Sequence, residues 1–230
     1  MYQLHQKRHQ RIGRRLILLF SRFMFLLLTR RQIKGKENVP EQGPLLIACN
    51  HIGHADQYLV AVTINRKMVW MAKKELFRSP LIRVLALAFG AFPVHRGSMD
   101  RKALDQAHQV LNSGLALAMF PEGTRSKNAQ LQQAFPGSAL IALQNRVPIL
   151  PVGITGMEVA QRNLFWIISH RHRVTVNIGR PFYLPEVDGK LTKVKLSKMA
   201  DYIMEHIAEL LPPQYRGHYA SKVDSDGTKD

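Results

Sequence analysis

The sequence of 230 residues contains a single cysteine, Cys49. One cysteine excludes a disulfide within the chain, so the fold is not one that depends on internal cross-links. A reduced, solitary cysteine fits a reducing compartment. With 46% apolar residues, a chain of this length can bury a sizeable core. We therefore expect one globular domain with an appendage.

Acidic residues are also scarce. The chain has 16 Asp and Glu against 33 Lys and Arg, which gives a formal net charge of +17. The imbalance is strongest at the start, where ten lysines and arginines precede the first acidic residue, Glu37. A chain this basic indicates a polyanionic partner, either nucleic acid or an anionic membrane surface.

A hydrophobic run long enough to span a bilayer is missing as well. The longest apolar stretch covers residues 16–28 and is interrupted by Ser21 and Arg22. As a helix it would be about 20 Å long, shorter than the ~30 Å hydrocarbon core. Its basic residues share one sector of a helical wheel, a pattern typical of a helix that lies in the membrane interface.

Three other readings of this N-terminal segment remain alternatives. A full membrane span would need a longer run. A cleaved signal peptide is disfavoured, because Arg22 breaks the run and no small-residue cleavage site follows it. Nucleic acid is disfavoured as a partner, because the aromatic residues lie inside the apolar run and do not alternate with the basic ones.

Short apolar segments alternate with helical patterns through the rest of the chain. The predicted strands are residues 45–49, 68–72, 91–94, 115–120, 147–154 and 174–178. The predicted helices are residues 57–65, 79–89, a helix capped by Ser98 and stopped by Gly114, and residues 138–145 and 191–211. Pro148 and Pro151 indicate that the strand at 147–154 is an edge or irregular strand.

This alternation predicts an α/β protein with a mixed β-sheet flanked by helices, preceded by an N-terminal membrane-associated helix. Residues 1–36 are expected to form a basic amphipathic membrane anchor and hinge. Residues 37–211 are expected to form the globular domain. The polar tail, residues 212–230, is expected to be disordered.

The most informative motif is a histidine and an aspartate, His51 and Asp56, directly after the predicted buried strand 45–49. On an ideal helix a five-residue spacing separates two side chains by about 140°. The two can meet only if His51 lies in the strand-to-helix turn and Asp56 in the first helical turn. A carboxylate on one imidazole nitrogen leaves the other free to take a proton, which can activate a hydroxyl.

A second motif, Phe-Pro-Glu-Gly-Thr-Arg at residues 120–125, follows another predicted strand. Gly123 allows a tight turn or the close approach of a ligand. Arg125 can bind a phosphate with two hydrogen bonds, and Glu122 can accept one from a hydroxyl. The alternative for this motif is a surface turn with a local ion pair.

Two further segments complete a pattern of four. Residues 90–97 place Arg96 after a short strand, and residues 147–153 form an apolar block with two prolines. In this order the four segments resemble the blocks of the 1-acyl-sn-glycerol-3-phosphate acyltransferases, members of the glycerolipid acyltransferase family. The resemblance covers roughly residues 35–180.

The resemblance implies roles for the motif residues. His51 would be the general base, and Asp56 would orient and stabilise it. Arg96 and Arg125 would hold the phosphate of the acceptor, and Glu122, Gly123 and Thr124 would shape the acceptor site. No metal and no cofactor are implied.

The implied partners are a lysophospholipid acceptor, an acyl-CoA or acyl-carrier protein as donor, and an anionic membrane surface, with no nucleic acid. The implied location is the cytoplasmic face of a membrane, the bacterial inner membrane, with the protein bound to one leaflet.

One departure from the family leaves the acceptor open. Many relatives carry a Phe-Lys-x-Gly segment after the Glu-Gly-Thr-Arg motif, whereas this chain has Phe135-Pro136-Gly137 without the lysine. An acyltransferase for another lysolipid, such as a lyso-aminolipid, is therefore an alternative. A non-enzymatic basic membrane-binding protein is a third.

Two other chemistries are weaker alternatives. His51, His54 and Asp56 are residue types that bind metals, but the sequence offers no clear fourth ligand. Cys49 could form an acyl-cysteine, although a lone cysteine at the end of an apolar run is more often a small buried residue. The remaining histidines, including His95, are interpreted as surface or packing residues.

Overall fold

A computed structural model describes residues 29–88, 90–95, 100–158 and 172–222, together with positions 16, 19, 20, 23 and 27. The strands are β1 Thr29–Lys34, β2 Leu45–Cys49, β3 Met68–Lys73, β4 Ala91–Val94, β5 Ala116–Met119, β6 Ile149–Thr155 and β7 His172–Ile178. The helices are α1 Asp56–Thr63, α2 Pro80–Ala88, α3 Arg101–Asn112, α4 Gly137–Asn145 and α5 Lys193–Glu209. Every strand and helix predicted between residues 45 and 211 is found, with ends shifted by a few residues.

The described strands form one sheet in the order β1-β7-β6-β2-β5-β3-β4. Only the β6–β7 pair is antiparallel, and the other neighbours run parallel. Helices cover both faces. Leu46 and Ala48 pack into a core with α3, α4 and α5, and Leu45 and Ile47 pack into a core with α1 on the opposite face. The prediction of a mixed sheet flanked by helices is confirmed.

The strand β2 explains why residues 45–49 form an unbroken apolar run. All five side chains are buried, because the strand lies inside the sheet and both of its faces are covered. Its carboxyl end is therefore a rigid base for the turn that follows.

The boundary predicted at residue 36 is wrong, because β1 belongs to the sheet. Thr29–Lys34 pairs in parallel with β7 along its whole length. The strand lies at the edge of the sheet and exposes Arg30, Gln32 and Lys34. Basic side chains are common on edge strands because they block pairing with other chains. The same side chains made this strand look like part of a basic hinge.

The proline-containing strand was predicted to be an edge or irregular strand, and the edge position is wrong. The strand β6 lies between β2 and β7. Its pairing with β7 begins at Val152↔Ile178, and Pro151 precedes this pair and accepts a hydrogen bond from the N–H of Gly179. A proline is tolerated there because it lacks only the donor at the first position of the ladder.

The C-terminal tail is ordered as far as residue 222, which corrects the prediction of disorder from residue 212. Two short 3-10 helices, Pro213–Tyr215 and Gly217–Tyr219, follow α5. The side chain of Tyr219 is fully buried. The polar composition of this segment predicted disorder. A few buried side chains, such as that of Tyr219, are enough to anchor it. Residues 223–230 lie outside the described residues.

Helix α3 begins later than predicted. Its N-cap is Asp100, whose carboxylate accepts a hydrogen bond from the N–H of Ala103 at 3.2 Å. The predicted cap, Ser98, lies outside the described residues. Aspartate and serine are both favourable N-caps, so composition did not choose between them.

In the described part of the chain, none of the helices combines the length and the apolar character that crossing a membrane requires. Five positions of the predicted anchor helix are described, and all five are helical. Most of residues 1–28 lie outside the described residues.

Candidate active site

The site begins where β2 ends. Asn50 follows the strand, and its side chain exchanges two hydrogen bonds with the backbone of Ile154, at 2.9 and 2.7 Å. This pair fastens the chain to β6 before it turns. His51 then lies in the turn and Asp56 is the first residue of α1, as the spacing of the two residues predicts.

Asp56 holds the turn together through one oxygen. Its Oδ2 accepts hydrogen bonds from His51 Nδ1 at 2.8 Å, Ile52 N at 2.7 Å and Gly53 N at 2.8 Å. The side chain of Asp56 is fully buried. Because a carboxylate only accepts, the bond assigns the ring proton of His51 to Nδ1 and makes Nε2 the acceptor nitrogen.

The ring of His51 is also held on its face. It stacks on Phe120 with centroids 4.0 Å apart and planes 11° apart, and Phe120 lies against Trp70 at 5.3 Å. The side chain of His51 remains 13% exposed. None of the described residues bonds to its Nε2. The arrangement therefore presents one proton-accepting nitrogen on an oriented imidazole.

The second motif wraps around the backbone of His51. Glu122 Oε1 accepts a hydrogen bond from the N–H of His51 at 2.9 Å, and the N–H of Ser126 donates to the carbonyl of His51 at 2.8 Å. The strands β2 and β5 are parallel neighbours, so the two turns emerge side by side at the same edge. His51 and Glu122 are 71 positions apart in the sequence, yet the hydrogen bond between them joins their turns into one unit.

Glu122 itself is almost completely buried, at 1% exposure. Its Oε2 accepts hydrogen bonds from the backbone N–H of Gln132 at 3.0 Å and from the side-chain amide of Gln132 at 3.3 Å. Burial raises the pKa of Glu122 to about 7, although the N–H groups of His51 and Gln132 oppose this effect. Both oxygens are thus occupied in holding the turn. Gln132 was missed in the sequence because no motif surrounds it.

The rest of the Glu-Gly-Thr-Arg turn faces outward. Gly123 has a φ of 66°, and a Cβ on it would lie 2.8 Å from the ring of Phe135, so both conformation and space require glycine. Thr124 is exposed and Arg125 is half-buried. Arg125 forms no ion pair with any carboxylate in the described part of the chain. Its charge is therefore available to a ligand.

His54 lies close to this cation. Burial lowers the pKa of His54, and the charge of Arg125 lowers it further. His54 bonds to Asp56 neither directly nor through another described side chain, so it is not part of the pair. Among the described residues no group of three or more His, Cys, Asp or Glu side chains is arranged to hold a metal ion.

Cys49 is fully buried in β2. Burial raises the pKa of its thiol well above the ordinary value, and the charge of Asp56 acts in the same direction. A buried, protonated thiol is a poor nucleophile. This environment disfavours the acyl-cysteine alternative.

Arg96 lies outside the described residues, so its predicted contact with the acceptor phosphate remains a prediction. Its neighbour His95 forms a second pair with the same five-residue spacing. His95 Nδ1 lies 2.9 Å from Asp100 Oδ2, and Lys74 Nζ lies 2.9 Å from His95 Nε2. The N–H of His95 also donates to Asp100 and is the main cause that lowers the pKa of this carboxyl to about 2.

The two histidine–aspartate pairs differ in what surrounds them. The side chain of His95 is 56% exposed and its Nε2 is bonded to an ammonium group, whereas His51 is 13% exposed and its Nε2 is open. A nitrogen that already accepts a hydrogen bond from Lys74 cannot accept a substrate proton without losing that bond. The interpretation of His95 as a surface residue agrees with its exposure.

Comparison with known proteins shows the family to which this chain belongs. The Acyltransferase family model matches residues 30–155, more than half of the chain, and this range includes both turns. A Bacillus subtilis protein named 1-acyl-sn-glycerol-3-phosphate acyltransferase is 28% identical over 78% of this chain and 87% of its own length. A Streptococcus pneumoniae protein of the same name is 30% identical over 78% of this chain and 62% of its own length.

A solved structure shares the fold. The crystal structure of a 1-acyl-sn-glycerophosphate acyltransferase, PlsC, from Thermotoga maritima superposes with a TM-score of 0.64 at 21% identity. The match covers 99% of this chain and 86% of that one. The chain therefore belongs to the acyltransferase family and is an enzyme of that class.

Proposed function

We propose that this enzyme transfers a fatty acyl group from a thioester donor to the free hydroxyl of 1-acylglycerol-3-phosphate and releases phosphatidic acid. The observation that carries the proposal is the oriented His51–Asp56 pair with its open Nε2, in a chain whose relatives are named for this acceptor. The donor is acyl-CoA or acyl-carrier protein.

His51 acts as the general base. Its Nε2 takes the proton of the acceptor hydroxyl as the oxygen attacks the thioester carbonyl, and Asp56 stabilises the imidazolium that forms. The new C–O bond forms, the C–S bond breaks, and the thiolate leaves and recovers the proton from His51. Because a thiolate is a good leaving group, the reaction requires no strong general acid and no cofactor.

The Glu-Gly-Thr-Arg turn binds the acceptor. Arg125, which has no carboxylate partner in the described structure, binds the phosphate, and Arg96 contributes a second cation. Gly123 and Thr124 form the wall of the acceptor site. Glu122 shapes the site from beneath, since its hydrogen bonds hold the turn against the backbone of His51.

The enzyme works at an anionic membrane surface. Five exposed side chains support this part of the proposal, because their spacing places them on one face of a helix. They are Leu16, Leu19, Phe20, Phe23 and Leu27, each more than half exposed. A stripe of this kind is costly in water and suits the boundary between headgroups and acyl chains. The basic residues that precede and interrupt this segment in the sequence fit the cytoplasmic leaflet of a bacterial inner membrane.

The alternative is that the enzyme acylates a different lysolipid. The loop position where many relatives carry a lysine is occupied by Pro136, next to the Phe135 ring that packs on Gly123. Without that lysine the site has one cation fewer for a phosphate. A lysolipid with a different headgroup, such as a lyso-aminolipid, is the acceptor in this case. A non-enzymatic role is not retained, because the chain belongs to an enzyme family.

The test is a direct assay of acyl transfer. The purified full chain is mixed with labelled acyl-CoA or acyl-carrier protein and with micelles of 1-acylglycerol-3-phosphate or of other lysolipids. We expect labelled phosphatidic acid as the main product. If another lysolipid is acylated and 1-acylglycerol-3-phosphate is not, the proposed acceptor is wrong and the alternative holds.

A further inference from the structure

The loop of residues 127–135 connects the Glu122 turn to helix α4 and contains no helix or strand. It nevertheless supplies Gln132, which makes two of the hydrogen bonds to Glu122. Such a loop has no sheet ladder or helical bonds of its own to hold its backbone. Its order must come from contacts with another part of the chain.

One end of the loop is held by the Glu122 turn, where the N–H of Phe135 donates to the carbonyl of Pro121 at 2.9 Å. Further contacts come from residues 212–222, which we call the C-terminal clamp. At the centre of the loop, Leu131 donates its N–H to the carbonyl of Tyr215 at 2.9 Å and accepts from the N–H of His218 at 3.1 Å. Gly217 fits closely between these bonds, since a Cβ on it would lie 2.6 Å from the carbonyl oxygen of Leu131. Both backbone groups of Leu131 are therefore bonded to the clamp.

A side chain adds the second attachment. The hydroxyl of Tyr219 accepts a hydrogen bond from the N–H of Ala134 at 3.1 Å and donates one to Asp201 on α5 at 2.8 Å. Tyr219 is fully buried and Ala134 is 7% exposed. Leaving the buried N–H of Ala134 without this partner would destabilise the loop, because a buried donor has no water to bond instead.

The attachments continue to the catalytic histidine. The clamp holds the loop, the loop holds Glu122 through Gln132, and Glu122 holds the backbone N–H of His51. All of these groups are buried or partly buried, so water cannot easily replace a broken bond. The clamp also lies outside residues 30–155, the part of the chain that the family model matches.

We propose that the C-terminal clamp positions the active site, with Tyr219 and Gln132 as positioning residues that act on His51 through Glu122. The inference rests on the proposed acyl transfer for its activity measurement, but it has a structural measurement of its own. Neither residue contacts substrate in this account. Because they act mainly on the orientation of His51, we expect substitutions of these two residues to act mainly on kcat.

The test compares two tyrosines of the clamp. Tyr219→Phe removes the hydroxyl that holds Ala134. Tyr215→Phe removes a hydroxyl that donates to Glu158 at 2.6 Å, while the carbonyl that holds Leu131 remains. Both variants lose one partly buried tyrosine–carboxylate hydrogen bond, so both are expected to lower Tm. Only Tyr219→Phe removes a bond to the loop.

We expect the kcat of Tyr219→Phe to fall about tenfold, because loosening the loop misplaces His51. The KM of the acceptor is expected to rise less than kcat falls, because Glu122 also holds the turn that carries Arg125. We expect Tyr215→Phe to keep a kcat within about twofold of the wild type. Equal kcat values for the two variants, measured well below their Tm, would overturn the proposal.

Gln132→Ala tests the next link. It removes the side-chain bond to Glu122 and leaves the backbone bond, so kcat is expected to fall less than in Tyr219→Phe. The double variant should lose less than the sum of the two effects, because both act through Glu122. Full additivity would contradict the proposed chain of contacts.

Hydrogen exchange separates this inference from the proposed acceptor. Tyr219→Phe should accelerate amide exchange in residues 127–135 and at His51, and Tyr215→Phe should not. This measurement needs no substrate. If 1-acylglycerol-3-phosphate is not acylated but the exchange pattern is found, the acceptor is wrong and the clamp stands. If exchange at His51 is unchanged in Tyr219→Phe, the clamp does not position the site.

Discussion

His51 is held at its Nδ1, at one face of its ring and at its backbone, whereas its Nε2 has no bond to a described residue. Asp56 holds Nδ1, Phe120 covers the ring face, and Glu122 and Ser126 hold the backbone of the same residue. In the proposed mechanism, restraint of this kind would orient the base towards the acceptor hydroxyl and avoid a reorganisation cost during the reaction. At the residue scale, these contacts distinguish His51 from an exposed histidine such as His95.

The two histidine–aspartate pairs provide a matched test. His51→Ala should reduce kcat by about 10²–10⁴-fold, the usual contribution of a general base. His95→Ala removes the same side chain from a pair with the same spacing, but one whose Nε2 already bonds to Lys74. It should leave kcat within about twofold of the wild type. Steady-state kinetics with both variants checks this, and comparable losses would contradict the assignment of His51 as the base.

Gly53 illustrates how closely the turn is packed. A Cβ at this position would lie 2.7 Å from the carbonyl oxygen of Met157 and 2.9 Å from Asp56 Oδ1. Gly53→Ala should therefore displace Asp56, lower kcat by at least about tenfold and lower Tm. Gly137→Ala is the control, because a Cβ there has open space. We expect it to be neutral or slightly stabilising, since it begins a helix.

Helix α3 depends on its cap. Asp100 accepts hydrogen bonds from the backbone N–H groups of His95 and Ala103 and from the ring of His95. At the scale of a secondary-structure element, these bonds join the end of β4 to the start of α3. Cap residues of this kind stabilise a protein by about 0.5–2 kcal/mol.

Because the pKa of Asp100 is lowered to about 2, its contribution to stability depends on pH. A lowered carboxyl pKa stabilises the fold fully above the unfolded value, near 4, and the stabilisation is lost as the pH falls towards 2. Asp100→Ala should therefore lower the free energy of unfolding by about 1 kcal/mol at pH 7. Urea unfolding at pH 5, 4 and 3 should show the difference from the wild type shrinking. A constant difference would exclude ionisation of Asp100 as its source.

At the scale of the whole molecule, the parallel strands gather the chemistry at one edge of the sheet. The strands β2, β5, β3 and β4 are parallel neighbours, so the residues that follow them share the carboxyl edge. His51 follows β2 and Glu122 follows β5 at this edge, while Lys74 and His95 follow β3 and β4 beside the site. The site is thus assembled from segments that are distant in sequence.

Membrane binding is also a property of the whole molecule. Replacing Leu19, Phe20 and Phe23 together by serine should weaken binding to anionic vesicles by more than about a hundredfold, because each buried apolar side chain contributes about 1.5–3 kcal/mol. Cosedimentation with vesicles measures the binding. High salt should weaken the binding of the wild-type protein, because it screens the charges of the basic residues. Tyr183→Ser with Val194→Ser is the control, since these side chains are as exposed but lie on the globular domain. Equal binding by both variants would contradict the proposed stripe.

Much of this protein could be predicted from local patterns. The apolar run at 45–49 predicted a buried strand, and alternation predicted a mixed sheet flanked by helices. The pattern failed at β1, where exposed basic residues concealed an edge strand, and in part at β6, where prolines suggested an edge or irregular strand. In both cases the position of a strand in the sheet decides which residues it tolerates, and position is not a local property.

The sequence by itself determined the pairing of His51 with Asp56, because five residues across a strand-to-helix turn leave only one way for the side chains to meet. The same spacing produced the pair of His95 and Asp100, so spacing alone could not identify the base. Only the tertiary structure distinguished the surroundings of the two pairs, by placing β5 beside β2 so that Phe120 and Glu122 contact His51, and by folding Tyr219 back onto the loop that carries Gln132. Contacts between residues far apart in the chain depend on strand order, which local sequence does not encode.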